Sequence, residues 1–287
     1  MIYLKNKRLL VEIAEPAKHY KRTRFDWTGF ITQVTLDGQY TFCGVESIDP
    51  LIGCGGRGFC NEFGIDMPIG YDDAKVGELF PKLGVGLLKK TEEKEYLFHK
   101  DYDVMPFPMT ISNSDTCIKY KLEALPCRGY EVIQEKTITL QDNSIKIDYK
   151  LKNVGTKDII TNEYCHNFVE INENSIGQEY VLQAPYDIKL EKSELTNELT
   201  VIDKEISWLK TPANVFYFMQ KAKGIEEYKY WEITHKPSGR SVREYVDFSP
   251  TKFALWGMNH VVSPEMFIDI QIKPGETKTW NRTYEFR

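Results

Sequence analysis

The stretch that decides the fold runs from Ile159 to Asn172 and reads Ile-Ile-Thr-Asn-Glu-Tyr-Cys-His-Asn-Phe-Val-Glu-Ile-Asn. In a β-strand, successive side chains point to opposite faces of the sheet. A strand here presents one set of side chains on one face, Asn162, Tyr164, His166 and Phe168, and another on the opposite face, Cys165, Asn167 and Val169. The pattern therefore predicts an imidazole that lies between two aromatic rings.

This combination suits a sugar site. Aromatic faces cover the C–H surface of a pyranose, and an imidazole titrates near neutrality, so that it can move a proton. His166 is therefore a candidate catalytic residue, and Tyr164 and Phe168 are candidate substrate-binding residues. The alternative is a structural histidine, packed within a sheet and satisfied by its neighbours.

Length and composition favour one globular domain. A chain of 287 residues can form one large β-sandwich, and we expect a single domain over residues 1–287. Hydrophobic residues make up 41% and charged residues 28%, as in soluble globular proteins. The net charge of −5 arises from interspersed charges, so neither nucleic acid nor a membrane surface is an expected partner. The first residues are too charged for a secretory signal, which predicts a cytoplasmic protein.

The six cysteines form no Cys-x-x-Cys pair and have no histidine at zinc spacing. We expect free thiols and no metal. Cys165 adjoins His166 in sequence, but strand alternation turns the two side chains to opposite faces, which argues against a Cys–His pair.

Turn signals separate short strands along the chain. Ile31–Leu36 and the residues after Asp37-Gly38 read as a hairpin, with the dipeptide supplying the positive-φ turn. Val132–Leu140 and Ser144–Leu151 alternate in the same way. Many short strands and little helix predict an all-β protein, a large antiparallel β-sandwich.

Two segments invite other interpretations. Asp72–Lys82 is modestly helical, and Pro81 is expected to end any helix there. Gly53–Gly58 contains Gly-x-Gly-x-x-Gly, but a dinucleotide site requires a strand before this motif and a helix that opens at its last glycine. The following residues are interrupted by glycine and proline, so no nucleotide cofactor is expected.

Three stretches resemble one family. His166-Asn-Phe-Val-Glu-Ile-Asn is similar to the His-Ser-Tyr-Phe-Asn-Leu segment of the galactose mutarotase (aldose 1-epimerase) superfamily. The segment from His235 to Trp256 resembles that family's Ser-Gly-Arg, Asp, Pro and aromatic-ended strand. The segment from Val262-Ser-Pro-Glu265 to Phe286 resembles its Glu-containing strand, Pro-Gly-Glu turn and Tyr-x-Phe ending. Each motif is common, and the resemblance depends on their order.

The resemblance implies a galactose mutarotase-like supersandwich that interconverts the anomers of a sugar without metal or organic cofactor. Glu265 matches the family's general base, and His166 would be the acid. Strand alternation agrees about Glu265: four apolar side chains mark the buried face of its strand, Met266, Ile268, Ile270 and Ile272, so Glu265 points away from that core.

The resemblance also implies residues that contact the sugar. Arg57 and Asn61 stand for the arginine and the asparagine of the family's Gly-Arg-x-x-Asn-Arg segment, whose first arginine contacts the sugar. Three residues rather than two separate them here, and Glu62 stands where the family often has arginine. Near Leu83 the family usually carries a second histidine, which this chain lacks. Lys82, or His99 as the nearest imidazole, is a candidate to replace it.

Three alternatives stay open. A mutarotase for phosphorylated or other anionic sugars is favoured by Lys82, Lys89 and Arg57, although no phosphate cluster is evident. A carbohydrate-binding protein without catalysis is favoured by the missing histidine. An accessory sandwich from a glycoside hydrolase or polysaccharide lyase is less expected, because the sequence shows no attached catalytic domain. Fold alone does not separate them.

Overall fold

The structure is a computed structural model that describes residues 1–123, 125–188, 198–221 and 229–287. Within these ranges the chain forms strands joined by turns and irregular loops, with no helix, which confirms the all-β prediction. The same ranges contain no helix long and apolar enough to cross a membrane.

The strands follow one another along the described chain in this order: β1 (Ile2–Lys5), β2 (Leu9–Ile13), β3 (Ile31–Leu36), β4 (Tyr40–Thr41), β5 (Phe59–Phe63), β6 (Leu79–Lys82), β7 (Gly86–Lys89), β8 (Val104–Pro106), β9 (Met109–Asn113), β10 (Cys117–Leu122), β11 (Val132–Gln141), β12 (Ser144–Asn153), β13 (Ile159–Asn167), β14 (Tyr180–Gln183), β15 (Leu199–Ile202), β16 (Glu205–Trp208), β17 (Phe216–Lys221), β18 (Tyr230–His235), β19 (Arg240–Val246), β20 (Lys252–Gly257), β21 (Val262–Ile272) and β22 (Thr277–Phe286).

Two large antiparallel sheets dominate the fold. The nine-stranded sheet has the order β1-β2-β3-β5-β13-β21-β20-β17, with β4 paired to β3. The ten-stranded sheet has the order β15-β16-β14-β18-β19-β22-β12-β11-β10-β9. A small sheet of β6, β7 and β8 completes the described strands. The segment that decides the fold, β13, therefore lies inside the nine-stranded sheet, between β5 and β21.

The main core lies between the two large sheets. Phe59 of the nine-stranded sheet stacks on Tyr284 of the ten-stranded sheet, with ring centroids 4.6 Å apart. Alternation in β12 follows the predicted pattern, because Ile145, Ile147 and Leu151 are all buried in this core. Residues that alternate in this way bury one face of each strand and leave the other for solvent or a cavity.

A buried ion cluster crosses the same interface. Arg282 of β22 places Nη2 2.7 Å from Glu163 of β13 and Nη1 2.7 Å from Glu244 of β19. All three side chains are fully buried. Arg282 also donates from Nη2 to the carbonyl oxygen of Met266 in β21. Removing one partner of such a cluster is costly, because it leaves a buried charge unpaired.

The predicted hairpin after Ile31 is confirmed: Asp37 and Gly38 have φ values of 53° and 70°, and β3 pairs with β4. The helical interpretation of Asp72–Lys82 is wrong. Turns lead into β6, which pairs with β7 alone at the edge of the small sheet. An edge strand tolerates Pro81 because an outward-facing position needs no N–H donor.

Candidate functional site

A cavity of about 940 Å³ lies on the face of the nine-stranded sheet that is turned away from the main core. Tyr164 and His166 of β13 and Glu265 and Phe267 of β21 line it. Their neighbours Cys165 and Met266 face the main core instead, as do Ile268 and Ile270 further along β21. The alternation predicted for both strands thus brings these side chains to one wall, because β13 and β21 are adjacent.

His166 and Glu265 are in direct contact at this wall. The imidazole Nδ1 lies 3.4 Å from Glu265 Oε1, and both side chains are 5% exposed. This Nδ1 is buried and has no hydrogen-bond partner of good geometry. A polar atom that is buried without a partner is costly unless a proton or a ligand satisfies it. The contact therefore places two groups able to exchange protons against the cavity.

Aromatic rings fix the imidazole. Phe168 stacks on it with centroids 4.0 Å apart and planes 8° apart, and Trp256 meets it edge-on at 5.3 Å. Phe168 itself does not line the cavity but supports His166 from behind. Gly56 permits this arrangement, because a Cβ added there would lie 2.4 Å from the Phe168 ring.

A short hydrogen-bond chain fixes the carboxyl group. The backbone N–H of Asn167 donates to Ser263 Oγ at 2.8 Å, and the Ser263 hydroxyl donates to Glu265 Oε1 at 2.9 Å. Because the backbone N–H can only donate, it orients the hydroxyl proton towards Glu265. The carboxyl group is thus held by the two strands that form the wall.

Burial shifts the pKa values of the pair in opposite directions. Desolvation raises the pKa of Glu265 to about 8. Desolvation, with a smaller repulsion from Arg24, holds the pKa of His166 well below its usual 6.5. Both shifts favour neutral groups, as expected for ionisable side chains removed from water. Near pH 7 the pair therefore holds one proton, and burial favours its residence on Glu265, the reverse of the sequence-based assignment.

A cation enters the cavity from an unexpected segment. Arg24, in the loop before β3, lines the cavity and is 7% exposed. Its Nε donates to Glu62 Oε2 at 2.9 Å and its Nη2 to the Tyr164 hydroxyl at 3.1 Å. The Tyr164 hydroxyl donates to Glu62 at 2.7 Å. Sequence reasoning missed Arg24, although Glu62, an acid where the family has arginine, was a signal that a cation comes from elsewhere.

The structure brings only some of the predicted substrate-binding residues to the cavity. Tyr164 and His99 line it, His99 from an exposed loop after β7. Lys82 is 1% exposed and lies behind the wall, where Nζ donates to the Phe63 carbonyl oxygen at 2.7 Å and contacts Glu62 at 3.4 Å. It does not line the cavity, so His99 is the better placed of the two candidate replacements.

Arg57 and Asn61 do not line the cavity. Arg57 is exposed, and its backbone bridges to Val45. Asn61 faces the core, where it donates to Glu163 at 2.7 Å and accepts from Lys136 at 2.6 Å. The motif match placed both residues in one loop, whereas Asn61 lies within β5 and its side chain points to the main core.

Within the part of the chain that the structure describes, no group of three or more His, Cys, Asp or Glu side chains is placed to hold a metal ion. The cysteines within those ranges are free.

No protein-family model and no curated protein matches the sequence. Solved structures do match. A galactose mutarotase-like protein from Lactobacillus casei is 12% identical, with 100% of each chain covered and a TM-score of 0.62. A putative aldose 1-epimerase from Escherichia coli is 11% identical, with 99% of this chain and 98% of that chain covered and a TM-score of 0.62. A galactose 1-epimerase from Lactobacillus acidophilus is 11% identical, with 99% and 93% covered and a TM-score of 0.53. The chain therefore has the fold of the galactose mutarotase-like proteins, as the order of its motifs predicted.

Proposed function

We propose that the protein is an aldose 1-epimerase-like isomerase that interconverts the α and β anomers of a sugar. The observation that carries the proposal is the contact of 3.4 Å between His166 and Glu265 at a cavity wall rich in aromatic rings. The likeness to solved aldose 1-epimerases supports the fold and agrees with this chemistry.

The reaction needs one proton acceptor and one proton donor. The acceptor removes the proton of the anomeric hydroxyl, the bond between C1 and the ring oxygen breaks, and the donor protonates that oxygen. Rotation about the C1–C2 bond and the reverse steps give the other anomer. A pair that holds one proton meets both needs, since one member is always free to accept. With the proton on Glu265, neutral His166 is the base and Glu265 the acid. Each positioned group contributes roughly 10²–10⁴ in rate.

The aromatic wall suits a pyranose. Trp256 and Tyr217 line the cavity beside the pair, and Tyr164 stacks on Phe267 with centroids 4.4 Å apart. Rings of this kind bury the apolar face of a sugar while nearby polar groups select its hydroxyls.

The test is catalysed mutarotation. Purified protein should accelerate the α/β interconversion of an aldose, followed by polarimetry or by NMR of the anomeric protons. His166→Ala and Glu265→Gln should each lower the rate by about 10²–10⁴. Asp269→Asn is the matched control for Glu265, since Asp269 is an exposed carboxylate further along the same strand and does not line the cavity. His235→Gln is the control for His166, as another buried histidine on the other large sheet.

The pH dependence of the rate follows from the shared proton. Activity should fall above about pH 8, where Glu265 loses its proton. At low pH the activity should fall only well below pH 6.5, where His166 is protonated, so that the pair holds two protons and has no acceptor. Glu265→Gln should remove the alkaline limb from whatever residual activity it keeps. An alkaline limb that survives this substitution would show that another group sets it.

A carbohydrate-binding protein without catalysis is the second candidate. Leu83, where the family usually has a second histidine, is 4% exposed and packs in the main core. If the protein binds sugars but leaves their anomerisation at the buffer rate, this second function replaces the first.

A further inference from the structure

We propose that Arg24 is a substrate-binding residue of this cavity, and that its carboxylate partners make it a donor to uncharged sugars rather than a receptor for phosphate or carboxylate groups. The inference rests on the proposed sugar-binding function of the same cavity and deepens it by naming the substrate class.

The guanidinium is held rigidly. In addition to its hydrogen bonds with Glu62 and Tyr164, its central carbon lies 4.6 Å from the Phe25 ring centroid and 4.4 Å from that of Phe98. Stacking on aromatic rings and hydrogen bonding at the edge both restrict a planar guanidinium. A ligand that contacts Arg24 therefore finds donors that the fold has already ordered, so binding loses little further side-chain entropy.

Arg24 retains donors for a ligand. A guanidinium carries five N–H groups, and the two hydrogen bonds above use Nε and Nη2. Nη1 carries two further donors. The nearest Glu46 oxygen lies 3.7 Å away, too far for a hydrogen bond, and the Cys54 sulfur beside the guanidinium is only a weak acceptor. A sugar hydroxyl or ring oxygen that enters the cavity can accept from these groups.

The charge of Arg24 is already balanced. Glu62 is fully buried beside it, Glu46 is 11% exposed, and Lys82 is the other cation of this cluster. Two cations thus face two carboxylates. The Glu46 carboxylate is itself fixed by the backbone N–H groups of Cys54 at 2.6 Å and Gly56 at 2.9 Å. In phosphate sites, by contrast, the phosphate itself forms the ion pairs with the arginine or lysine side chains.

The rest of the lining adds negative charge. Glu46, Asp66 and Glu95 line the cavity with Arg24. Lys252 lies 3.8 Å from Asp66 and offsets its charge, so Arg24, Lys252 and these three carboxylates together carry a formal charge of −1 when Glu265 is left out. The three cations that favoured an anionic sugar, Lys82, Lys89 and Arg57, do not line the cavity. An anionic sugar would therefore compete with Glu46 and Glu62 for Arg24 and with Asp66 for Lys252, which weakens the attraction that these cations could offer it.

The experiment compares neutral and anionic sugars. D-glucose and D-galactose are matched with their 6-phosphates, and binding is measured by calorimetry separately from mutarotation. The wild type should bind each neutral sugar at least about tenfold more tightly than its phosphate, a modest electrostatic difference for a screened site. Tighter binding of the phosphates by the wild type would overturn the assignment of substrate class.

Two substitutions test the residue itself. Arg24→Gln should weaken binding of the neutral sugar by roughly tenfold to a hundredfold, the loss typical of a charged hydrogen bond, and Arg24→Lys should recover part of it. Arg8→Gln is the control, since Arg8 pairs with Asp37 at the surface, away from the cavity. A folded Arg24→Gln variant with unchanged neutral-sugar binding would overturn the role of Arg24.

Glu46→Gln keeps the inference testable if Arg24→Gln fails to fold, because it frees the charge of Arg24 on the cavity side and preserves the buried pair with Glu62. It should raise the affinity for the sugar phosphates several-fold relative to that for the matched neutral sugars. An unchanged ratio of phosphate to neutral-sugar affinity would count against the inference. The two proposals also separate cleanly. Sugars that bind in the expected order without accelerated anomerisation refute the isomerase alone, whereas turnover that ignores Arg24 refutes this inference alone.

Discussion

The substitution Glu265→Gln should stabilise the protein at high pH while it removes activity. Burial raises the pKa of Glu265 from 4.5 to about 8 in the folded protein. In the unfolded chain the carboxyl group ionises near 4.5, so between these two values only the folded state holds the proton. Stability from this group is complete below pH 4.5 and is lost as pH rises to about 8.

The magnitude follows from the size of the shift. Each unit of pKa difference corresponds to about 1.4 kcal/mol. A shift of this size therefore lowers the free energy of unfolding of the wild type by on the order of 5 kcal/mol above pH 8. Glutamine resembles the protonated acid in shape and can still accept the Ser263 hydrogen bond. The variant should therefore match the wild type near pH 5 and exceed it by several kcal/mol near pH 9.

The assay is urea unfolding at pH 5, 7 and 9, with the free energy of unfolding extrapolated to water. His166 titrates in both proteins, and its lowered pKa makes it contribute stability that is lost as pH falls below 6.5. The difference between the two proteins isolates Glu265. Asp269→Asn should run parallel to the wild type, because this carboxyl group is exposed. If the stability of Glu265→Gln also changed with pH in parallel with that of the wild type, the claim that ionisation of buried Glu265 destabilises the folded protein would be refuted.

Two further substitutions probe the supports of the site. Arg282→Met should lower the free energy of unfolding in urea by about 3–5 kcal/mol, because it leaves Glu163 and Glu244 buried without a cation. Adding Glu163→Gln and Glu244→Gln should recover much of the loss. An Arg282→Met variant as stable as the wild type would contradict the role of the cluster. Gly56→Ala should lower both stability, by about 1–3 kcal/mol, and mutarotation, because its new Cβ displaces Phe168. Combining it with Phe168→Leu should restore melting temperature but not rate; if the single variant keeps full activity, the support of the imidazole by Phe168 is unimportant.

Alternation and motif order predicted much of the fold. The face assignments in β13 and β21 required only the period of two, and adjacency of these strands then brought His166 towards Glu265. The order of three weak motifs predicted the architecture. Whether residues 1–287 behave as one domain, and whether the pair is catalytic, stay predictions.

The rest of the site depends on tertiary contacts that no local pattern encodes. Arg24 lies 38 positions from Glu62 and 140 from Tyr164 in sequence, so its place in the cavity follows from how loops cross the sheet. Asn61 sits in a strand buried on both faces, and such a strand gives no alternation from which its direction could be inferred. The proton distribution between His166 and Glu265 likewise depends on burial, which the sequence does not give.

The ion cluster around Arg282 has a consequence for local dynamics. It joins β22 of one sheet to β13 and to the backbone of β21 in the other, and these are the strands that carry His166 and Glu265. Neither strand can separate from its neighbours without exposing this cluster. Amide protons of Cys165 and Ile268 should therefore exchange with deuterium only through global unfolding, whereas the loop that carries His99 should exchange through small local openings. On this prediction, the base of the cavity belongs to the slowly exchanging core of the described chain, and the mouth of the cavity exchanges sooner.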